Sequence, residues 1–318
     1  MRLLKKIIAV AVLSMTTALA GVGASYGQDK VVRIGYQKYG KLVLLKSRGT
    51  LEPRLKALGY DVKWTEFQFG PPLLEAINVG AIDFGNTGET PPVFAQAAGA
   101  PIRYVAYEPP AQKGEAILVQ KDSPLNSVAD LKGKKVAVAK GSNAHYLLVK
   151  ALEKAGVKYE DITPAFLAPA DARAAFESGA VDAWSIWDPY QSSAETTLGA
   201  KTLTDATGTV PNTQFYLSSQ KFIQTEPKVL DIVLDELRGV DAWAKTDIHA
   251  VAEQLSVAVG LPVPVLEVAL KRQSYGIKPI DDQVLVDQQR LADTLYQLKL
   301  IPKPVNVPDI VWKWTPGA

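Results

Sequence analysis

Short hydrophobic runs alternate with amphipathic segments along most of the chain. Runs such as VVRIGY at 31–36 and EAILVQ at 115–120 have the length and the β-branched content of buried strands. Between these runs, apolar residues recur with helical spacing, as in segments 41–58 and 143–155. The alternation predicts α/β units with parallel sheets. It stops at QFYLSS, 214–219, and the pattern is almost wholly helical from there on.

A nine-residue pattern occurs twice. Residues 76–84 are AINVGAIDF and residues 175–183 are AFESGAVDA, with the same Ala, Gly, Ala and Asp at four matching positions. Each copy combines the end of a helix, a glycine able to adopt the left-handed conformation, and an aspartate beside the following strand. The offset of 99 residues is far too long for a solenoid repeat, so the pattern predicts two similar α/β lobes.

Two turn-rich segments predict where the chain passes between the lobes. EPPAQKG at 108–114 holds two prolines and a glycine, and TGTVPNTQ at 207–214 lies where the alternation stops. Two passages make the first lobe discontinuous, so lobe I is predicted to comprise 30–110 and 215–318, and lobe II to comprise 111–214. Two connecting strands also form a hinge, which suits a clam-shell that closes on a ligand.

The first 24 residues have the features of a secretory signal peptide. Arg2, Lys5 and Lys6 precede an apolar run that ends near Ala20, and small residues follow up to Ala24, the predicted cleavage position. The run is shorter than the ~20 residues of a membrane-spanning helix. We therefore expect a periplasmic protein, and not a lipoprotein, because the chain has no cysteine. Removal of this segment changes 35 basic and 33 acidic residues to 32 and 33, which leaves no electrostatic basis for a nucleic-acid partner.

The residue types exclude several chemistries. The absence of cysteine excludes disulfides, a thiolate nucleophile, iron–sulfur clusters and cysteine-ligated zinc, and the chain has only two histidines, His145 and His249. His249 and Glu253 lie four residues apart but lack recognisable partners for a metal, and no Walker phosphate loop is present. We therefore expect no metal ion and no cofactor, and a binding protein rather than an enzyme.

Glycine, proline and small polar residues follow four of the predicted strands. In open α/β sheets, ligands bind beyond the carboxyl ends of strands, next to helix N-termini. Backbone N–H groups, the partial positive charge of those N-termini and neutral side chains form an anion site there. A plain helix cap is the alternative at each corner. The corners supply the candidate ligand-binding residues Gln37, Gly70, Pro71, Asn86, Thr87, Gly88, Gly141, Ser142, Asn143 and His145.

A second group of candidates lies in the aromatic segment WSIWDPY at 184–190. Trp184 is predicted to wall an apolar part of the ligand, with core packing as the alternative. Core packing is the favoured role of Trp187. Asp188 precedes a proline at the start of a helix and is expected to be an N-cap before it is a ligand contact.

The motifs at these positions resemble the periplasmic aliphatic-sulfonate-binding proteins of ABC importers, relatives of the taurine- and nitrate-binding components. The likeness spans about 32–312 and is carried by RIGYQK, GPPLLEAINVGAIDFGNTGETPPVFAQAAGA, VADLKGKKVAVAKGSNAH and PADARAAFESGAVDAWSIWDPY. It implies the α/β, two-lobed type II periplasmic-binding-protein fold, with the ligand in the interlobe cleft. Two residues depart from the family pattern, Glu89 in place of a usual aspartate and Tyr39 in place of a usually small residue. The positions that the resemblance places around the ligand are Gln37, Pro71, Thr87, Gly88, Ser142, Asn143 and Trp184.

The resemblance also implies a function. It implies a monomeric transport protein that captures alkanesulfonates and delivers them to a membrane permease and its ATPase for sulfur acquisition. Recognition by neutral donors predicts a sulfonate affinity that is nearly independent of pH between about 5 and 8. Three alternatives stay open: a sensor with the same cleft, a taurine-binding protein in which Glu89 or Asp188 binds the ammonium, and a secreted hydrolase. The hydrolase would use Ser142 and His145, although no G-x-S-x-G elbow surrounds this serine.

Overall fold

The computed structural model describes residues 30–316. The predicted signal peptide, residues 1–24, and its cleavage position therefore lie outside the described residues. The described chain forms two five-stranded sheets with helices packed around them. This is the α/β architecture that the sequence pattern predicts.

The two sheets have the same internal arrangement. The strands of the first sheet are β1 (Lys30–Tyr36), β2 (Tyr60–Glu66), β3 (Phe84–Gly88), β4 (Ile102–Glu108) and β10 (Gln214–Ser219). The strands of the second sheet are β5 (Glu115–Val119), β6 (Lys135–Val138), β7 (Thr163–Phe166), β8 (Ala183–Trp187) and β9 (Lys201–Asp205). Their orders are β2-β1-β3-β10-β4 and β7-β6-β8-β5-β9, so β3 and β8 are the central strands.

Both sheets are mixed, which corrects the expectation of parallel sheets. Strand β10 runs antiparallel to its neighbours β3 and β4, and β5 runs antiparallel to β8 and β9. The remaining pairs, in which β1 and β6 each lie between two neighbours, are parallel. Each antiparallel strand comes directly from the other sheet. It therefore lacks the helical crossover that parallel neighbours require.

Two short segments join the sheets. Residues 109–114 connect β4 to β5, and residues 206–213 connect β9 to β10. Both connections fall on the turn-rich segments that mark breaks in the sequence pattern. The first sheet is thus built from two separate parts of the chain, and the second sheet from the part between them.

The repeated sequence pattern occupies equivalent places in the two sheets. The glycine of each copy adopts the left-handed conformation, with φ of 72° and 73°. The carboxylate of Asp83, before β3, accepts a hydrogen bond of 2.9 Å from the backbone N–H of Arg33 in β1. The carboxylate of Asp182, before β8, accepts one of 2.8 Å from the backbone N–H of Lys135 in β6. The two central strands are therefore held in the same way, as the repeat predicts.

The helices cover the sheets and then form a C-terminal group. The helix predicted at 41–58 is divided in two, because Gly49 has a left-handed φ of 64° and its N–H bonds back to the carbonyl of Leu45. Among residues 30–316, no single helix is long and apolar enough to cross a membrane. The helices are α1 (Lys41–Arg48), α2 (Leu51–Lys56), α3 (Gly70–Asn78), α4 (Thr90–Ala97), α5 (Asn143–Lys154), α6 (Pro169–Glu177), α7 (Tyr190–Leu198), α8 (Gln220–Thr225), α9 (Pro227–Thr246), α10 (Ile248–Val259), α11 (Val263–Arg272) and α12 (Asp282–Gln297).

Helix α9 attaches the C-terminal group to the first sheet. Leu230, Val233, Leu234 and Leu237 follow the spacing of one helix face, and all four are fully buried. They belong to the same hydrophobic cluster as residues of β1, α1 and α2. The helical C-terminal region therefore returns to the sheet that begins the described chain.

Candidate binding site between the two sheets

Two adjoining cavities lie beside the carboxyl ends of β3 and β8. The first, here named the neutral cavity, has about 330 Å³ of empty space, counting the part open to solvent, and is lined by Gln37, Gly70, Gly88, Pro91, Ser142, Asn143, Trp187, Asn212 and Gln214. The second, here named the charged cavity, has about 570 Å³ and is lined by Gln37, Tyr39, Gly40, Asn86, Glu108, Ala111, Gly114, Trp187, Asp188, Asn212, Gln214, Arg272, Gln273 and Ser274. Four residues line both cavities, so the cavities are parts of one cleft. Their sizes match small-molecule sites, which enclose about 300–1,000 Å³.

Three helices begin at the neutral cavity. Gly70 is the first residue of α3, Gly88 precedes the N-cap of α4, and Asn143 is the first residue of α5. Helix N-termini carry a partial positive charge that favours anions. Proline pairs in the first turns of α3 and α4 remove backbone N–H donors, so side chains supply much of the hydrogen bonding.

The donors at the neutral cavity are mainly side-chain amides. Gln37 Nε2 donates to the carbonyl of Asn86 at 3.0 Å. Asn143 Nδ2 and Gln214 Nε2 both donate to Asn212 Oδ1, at 3.1 and 3.3 Å. An amide nitrogen carries two N–H groups, so each of these donors keeps one for a ligand. None of the described residues that line this cavity carries a charge.

Asn143 connects the two sheets. It begins α5, which packs on the second sheet, and its Oδ1 accepts a hydrogen bond of 3.1 Å from the backbone N–H of Thr90 at the start of α4. Its side chain lies directly against Gly88, where an added Cβ would come within 2.0 Å of Nδ2. Gly88 is therefore required for this contact, and we name the contact between Asn143, Gly88 and Thr90 the clasp.

Asn212, in the second connection between the sheets, lines both cavities. Its φ of 52° is left-handed, a conformation that asparagine tolerates better than most residues. Its backbone N–H donates to Glu89 Oε1 at 3.3 Å, and its Nδ2 donates to the carbonyl of Ala111 in the first connection at 2.9 Å. Asn212 thus links both connections to the cleft.

Buried carboxyl groups surround the neutral cavity. Burial raises the pKa of Glu89 to about 7, although the backbone N–H groups of Thr213 and Asn212 favour its charged form. Burial and the nearby Glu89 raise the pKa of Glu115 well above its usual range. Burial raises the pKa of Asp188, on the charged cavity, to about 6. Two of these carboxyl groups thus titrate between pH 5 and 8, so a ligand affinity independent of pH is no longer expected.

The structure brings most of the predicted corner residues to the cleft. Gln37, Gly70, Gly88, Ser142 and Asn143 line the neutral cavity, and Asn86 lines the charged cavity. The others lie beside the cleft rather than in its wall. Thr87 is fully buried, and Pro71 lines a separate groove next to α4, with an added Cβ on Gly141 3.7 Å from its ring.

The prediction for Trp184 is wrong in position. Trp184 is fully buried and packs against Phe176 and Tyr190, on the helical side of the second sheet. Trp187, expected to be a core residue, is partly exposed and lines both cavities. The two residues lie three apart in a strand, so their side chains point to opposite faces.

His145 is also absent from the residues that line the two cavities. The Gly141 N–H donates to its Nδ1 at 3.3 Å, its Nε2 lies 2.8 Å from Tyr159 Oη, and burial lowers its pKa to about 4. The Ser142 hydroxyl donates to the carbonyl of Ala139 and accepts from the backbone N–H of His145 as an N-cap. A serine nucleophile would need the imidazole as its acceptor, so this pair does not support hydrolysis.

Several lining residues were not predicted as site residues. Asn212 and Gln214 lie in a segment predicted only as a connection, and Tyr39 was noted only as a departure from a family pattern. Arg272 and its two successors come from the end of α11, for which the sequence offers no signal. Within residues 30–316, no group of three or more histidine, aspartate or glutamate side chains is placed to hold a metal ion.

The buried Glu89 carboxyl predicts a specific pH dependence of stability. Its pKa in the folded protein lies above its value in the unfolded chain, so its stabilising contribution is full below the unfolded value of 4.5 and is lost as pH rises through about 7. We expect Glu89→Gln, which stays neutral, to reduce the loss of unfolding free energy between pH 5 and 8 by roughly 2 kcal/mol. Urea unfolding of both proteins at the two pH values measures this difference. The same pH dependence in both proteins would contradict the burial of an ionisable Glu89.

Comparisons with known proteins agree with this geometry. The family model described as NMT1/THI5 like matches residues 59–245, more than half of the chain. A protein of Escherichia coli (strain K12), provisionally named aliphatic sulfonates-binding protein, is 43% identical over 314 residues, which cover 98% of each chain. The alkanesulfonate-binding protein SsuA from Xanthomonas axonopodis pv. citri, bound to MOPS, has a TM-score of 0.84 at 41% identity and covers 89% of this chain and 98% of its own.

A second solved structure extends the likeness. The periplasmic aliphatic sulphonate binding protein SsuA from Escherichia coli has a TM-score of 0.81 at 44% identity, over 91% of this chain and 94% of its own. The two-sheet architecture is therefore the two-lobed periplasmic-binding-protein fold. With these identities over nearly its whole length, the chain belongs to the NMT1/THI5-like family and, within it, to the aliphatic-sulfonate-binding proteins.

Proposed function

We propose that this protein is the periplasmic solute-binding component of an ABC importer. It captures aliphatic sulfonates and delivers them to a membrane permease and its ATPase for sulfur acquisition, and it is a binding protein rather than an enzyme. The observation that carries the proposal is the neutral cavity, where free amide N–H groups and three helix N-termini meet and none of the described lining residues is charged. The ligands named for the relatives above support the same ligand class.

A sulfonate head group suits such a cavity. It is tetrahedral, carries one negative charge and stays ionised at physiological pH, so it requires donors and no proton acceptor. Charge-assisted hydrogen bonds contribute about 1.5–3 kcal/mol each. Three of them, together with ~0.8 kcal/mol for each buried methylene of the tail, offset the costs of desolvation and closure. What remains is about −8 kcal/mol, a micromolar dissociation constant.

The proposed cycle uses the two connections as a hinge. Lobe I comprises 30–110 and 215–318, lobe II comprises 111–214, and the clasp joins them when the cleft is closed. The cleft is complete within one chain, because residues of both sheets line it, so we propose that the protein acts as a monomer. Export depends on a signal peptide at 1–24, without lipid attachment.

Taurine is the second candidate ligand, because its ammonium requires a carboxylate near the neutral cavity. Glu89 is already engaged, since its two oxygens accept hydrogen bonds of 3.3 and 2.7 Å from the backbone N–H groups of Asn212 and Thr213. Asp188 lines the charged cavity, and its Oδ2 has no hydrogen-bond partner in the described part of the chain. Of the two carboxylates, Asp188 is therefore the one that favours taurine.

Calorimetric titration of the mature protein tests the proposed ligand class. We expect butanesulfonate to bind at one site per chain with a dissociation constant of about 1 µM. Sulfate and nitrate have no tail to fill the charged cavity, and we expect them to bind at least 100-fold more weakly. Tight binding of either inorganic anion without binding of butanesulfonate would contradict the proposal.

The clasp predicts that Gly88→Ala weakens sulfonate binding. The added methyl group occupies the place of the Asn143 amide, so closure loses the hydrogen bonds to Thr90 and Asn212. Loss of two bonds of about 0.5–1.5 kcal/mol each corresponds to a weakening of about tenfold. The matched control is Gly239→Ala in α9, where an added Cβ meets no atom within 4 Å. Equal affinities of the two variants would show that the clasp does not contribute to closure.

A further inference from the structure

The wall of the charged cavity contains polar atoms that the protein leaves without partners. Asp188 and Asn86 are at most 3% exposed, and both line this cavity. Asp188 Oδ2 and Asn86 Oδ1 accept no hydrogen bond from any described residue, and Arg272 Nη1 donates none. Buried polar atoms normally have partners, so this wall is built to meet a ligand group. The two unpartnered acceptors call for a ligand that donates.

Asp188 is held in place by contacts that leave one oxygen free. Its Oδ1 accepts a hydrogen bond of 2.9 Å from the backbone N–H of Ser192, in the first turn of α7. Its Oδ2 lies 3.6 Å from Arg272 Nη1, which is an ion pair without a hydrogen bond. Arg272 donates instead to Glu195, from Nη2 at 2.7 Å. One guanidinium therefore serves two carboxylates and fully satisfies neither.

A second ion cluster behind the cavity has the same imbalance. The buried Lys41 donates to Glu108 at 2.8 Å and lies 3.5 Å from Asp241. Both of these carboxylates are at most 4% exposed. The two clusters together contain two cations and four carboxylates, so the charged cavity carries an excess of negative charge in a buried setting. An added cation is favoured there, and an added anion is opposed.

We infer that the charged cavity binds the cationic nitrogen of an aminosulfonate, whose N–H groups donate to Asp188 Oδ2 and Asn86 Oδ1. This inference rests on the proposed function, since the sulfonate of the same molecule occupies the adjoining neutral cavity. The two ends of the cleft thus recognise opposite charges. A purely aliphatic tail would fill the same space but leave both acceptors desolvated and unpaired, which lowers its affinity. Asp188 is therefore a specificity-determining residue.

A ligand with a second anion is the opposite reading, because Arg272 Nη1 is a free donor on the same wall. The charge balance opposes it, since the four carboxylates outnumber the two cations. Sulfoacetate, which carries a sulfonate and a carboxylate, distinguishes the two readings. Tighter binding of sulfoacetate than of the ammonium compounds would overturn the inference.

Calorimetry with two matched series of ligands tests the inference at constant pH. The first series is taurine, 3-aminopropanesulfonate and 4-aminobutanesulfonate, and the second is ethane-, propane- and butanesulfonate. At the best chain length we expect the ammonium compound to bind at least tenfold more tightly than its alkyl counterpart. We expect Asp188→Asn, which keeps an oxygen to accept from Ser192, to reduce this ratio about tenfold or more.

Glu195→Gln is the matched control. It removes the same charge from the same arginine, but Glu195 does not line the charged cavity. We expect the ratio to stay within about threefold of that of the unaltered protein. Alkyl sulfonates that bind as tightly as their ammonium counterparts, or equal ratios in Asp188→Asn and Glu195→Gln, would overturn the inference and leave the proposed function intact. Failure of all six sulfonates to bind would overturn both.

Discussion

The contact between Asn143 and the start of α4 is the interaction on which the site depends. It brings a helix of the second sheet against a helix of the first, and it is possible only because Gly88 has no side chain. The same amide donates to Asn212, which is bonded in turn to both connections between the sheets. Closure and ligand recognition therefore use the same group of neutral side chains. A ligand that accepts their remaining N–H groups stabilises the closed form directly.

Electrostatics explain why these donors are uncharged. Glu89 and Glu115 are fully buried close to the neutral cavity, and burial raises the pKa of both. A lysine or arginine among them would form ion pairs within the protein and would no longer be free for an anion. Amides keep one N–H for the protein and one for the ligand. The charged residues are instead gathered at the other end of the cleft, around Asp188 and Lys41.

The sequence predicts the architecture and the corners of the site, because both follow from local patterns. Strand ends followed by glycine and helix-starting residues identify Gln37, Gly88 and Asn143. The face of a strand is harder to predict. The run AWSIW is apolar on both faces, so nothing in it tells Trp184 from Trp187. Arg272 cannot be found from the sequence, because α11 reaches the cleft only through its packing on α7 and α10.

The central claim is that a single anionic head group is bound by uncharged donors between the two sheets. A crystal structure of the mature protein with butanesulfonate tests it most directly. The account predicts the sulfur atom between the N-termini of α3, α4 and α5, with sulfonate oxygens within hydrogen-bond distance of the amides of Gln37, Asn143 and Gln214. A sulfonate bound through a lysine or arginine side chain, or outside the cleft, would contradict it.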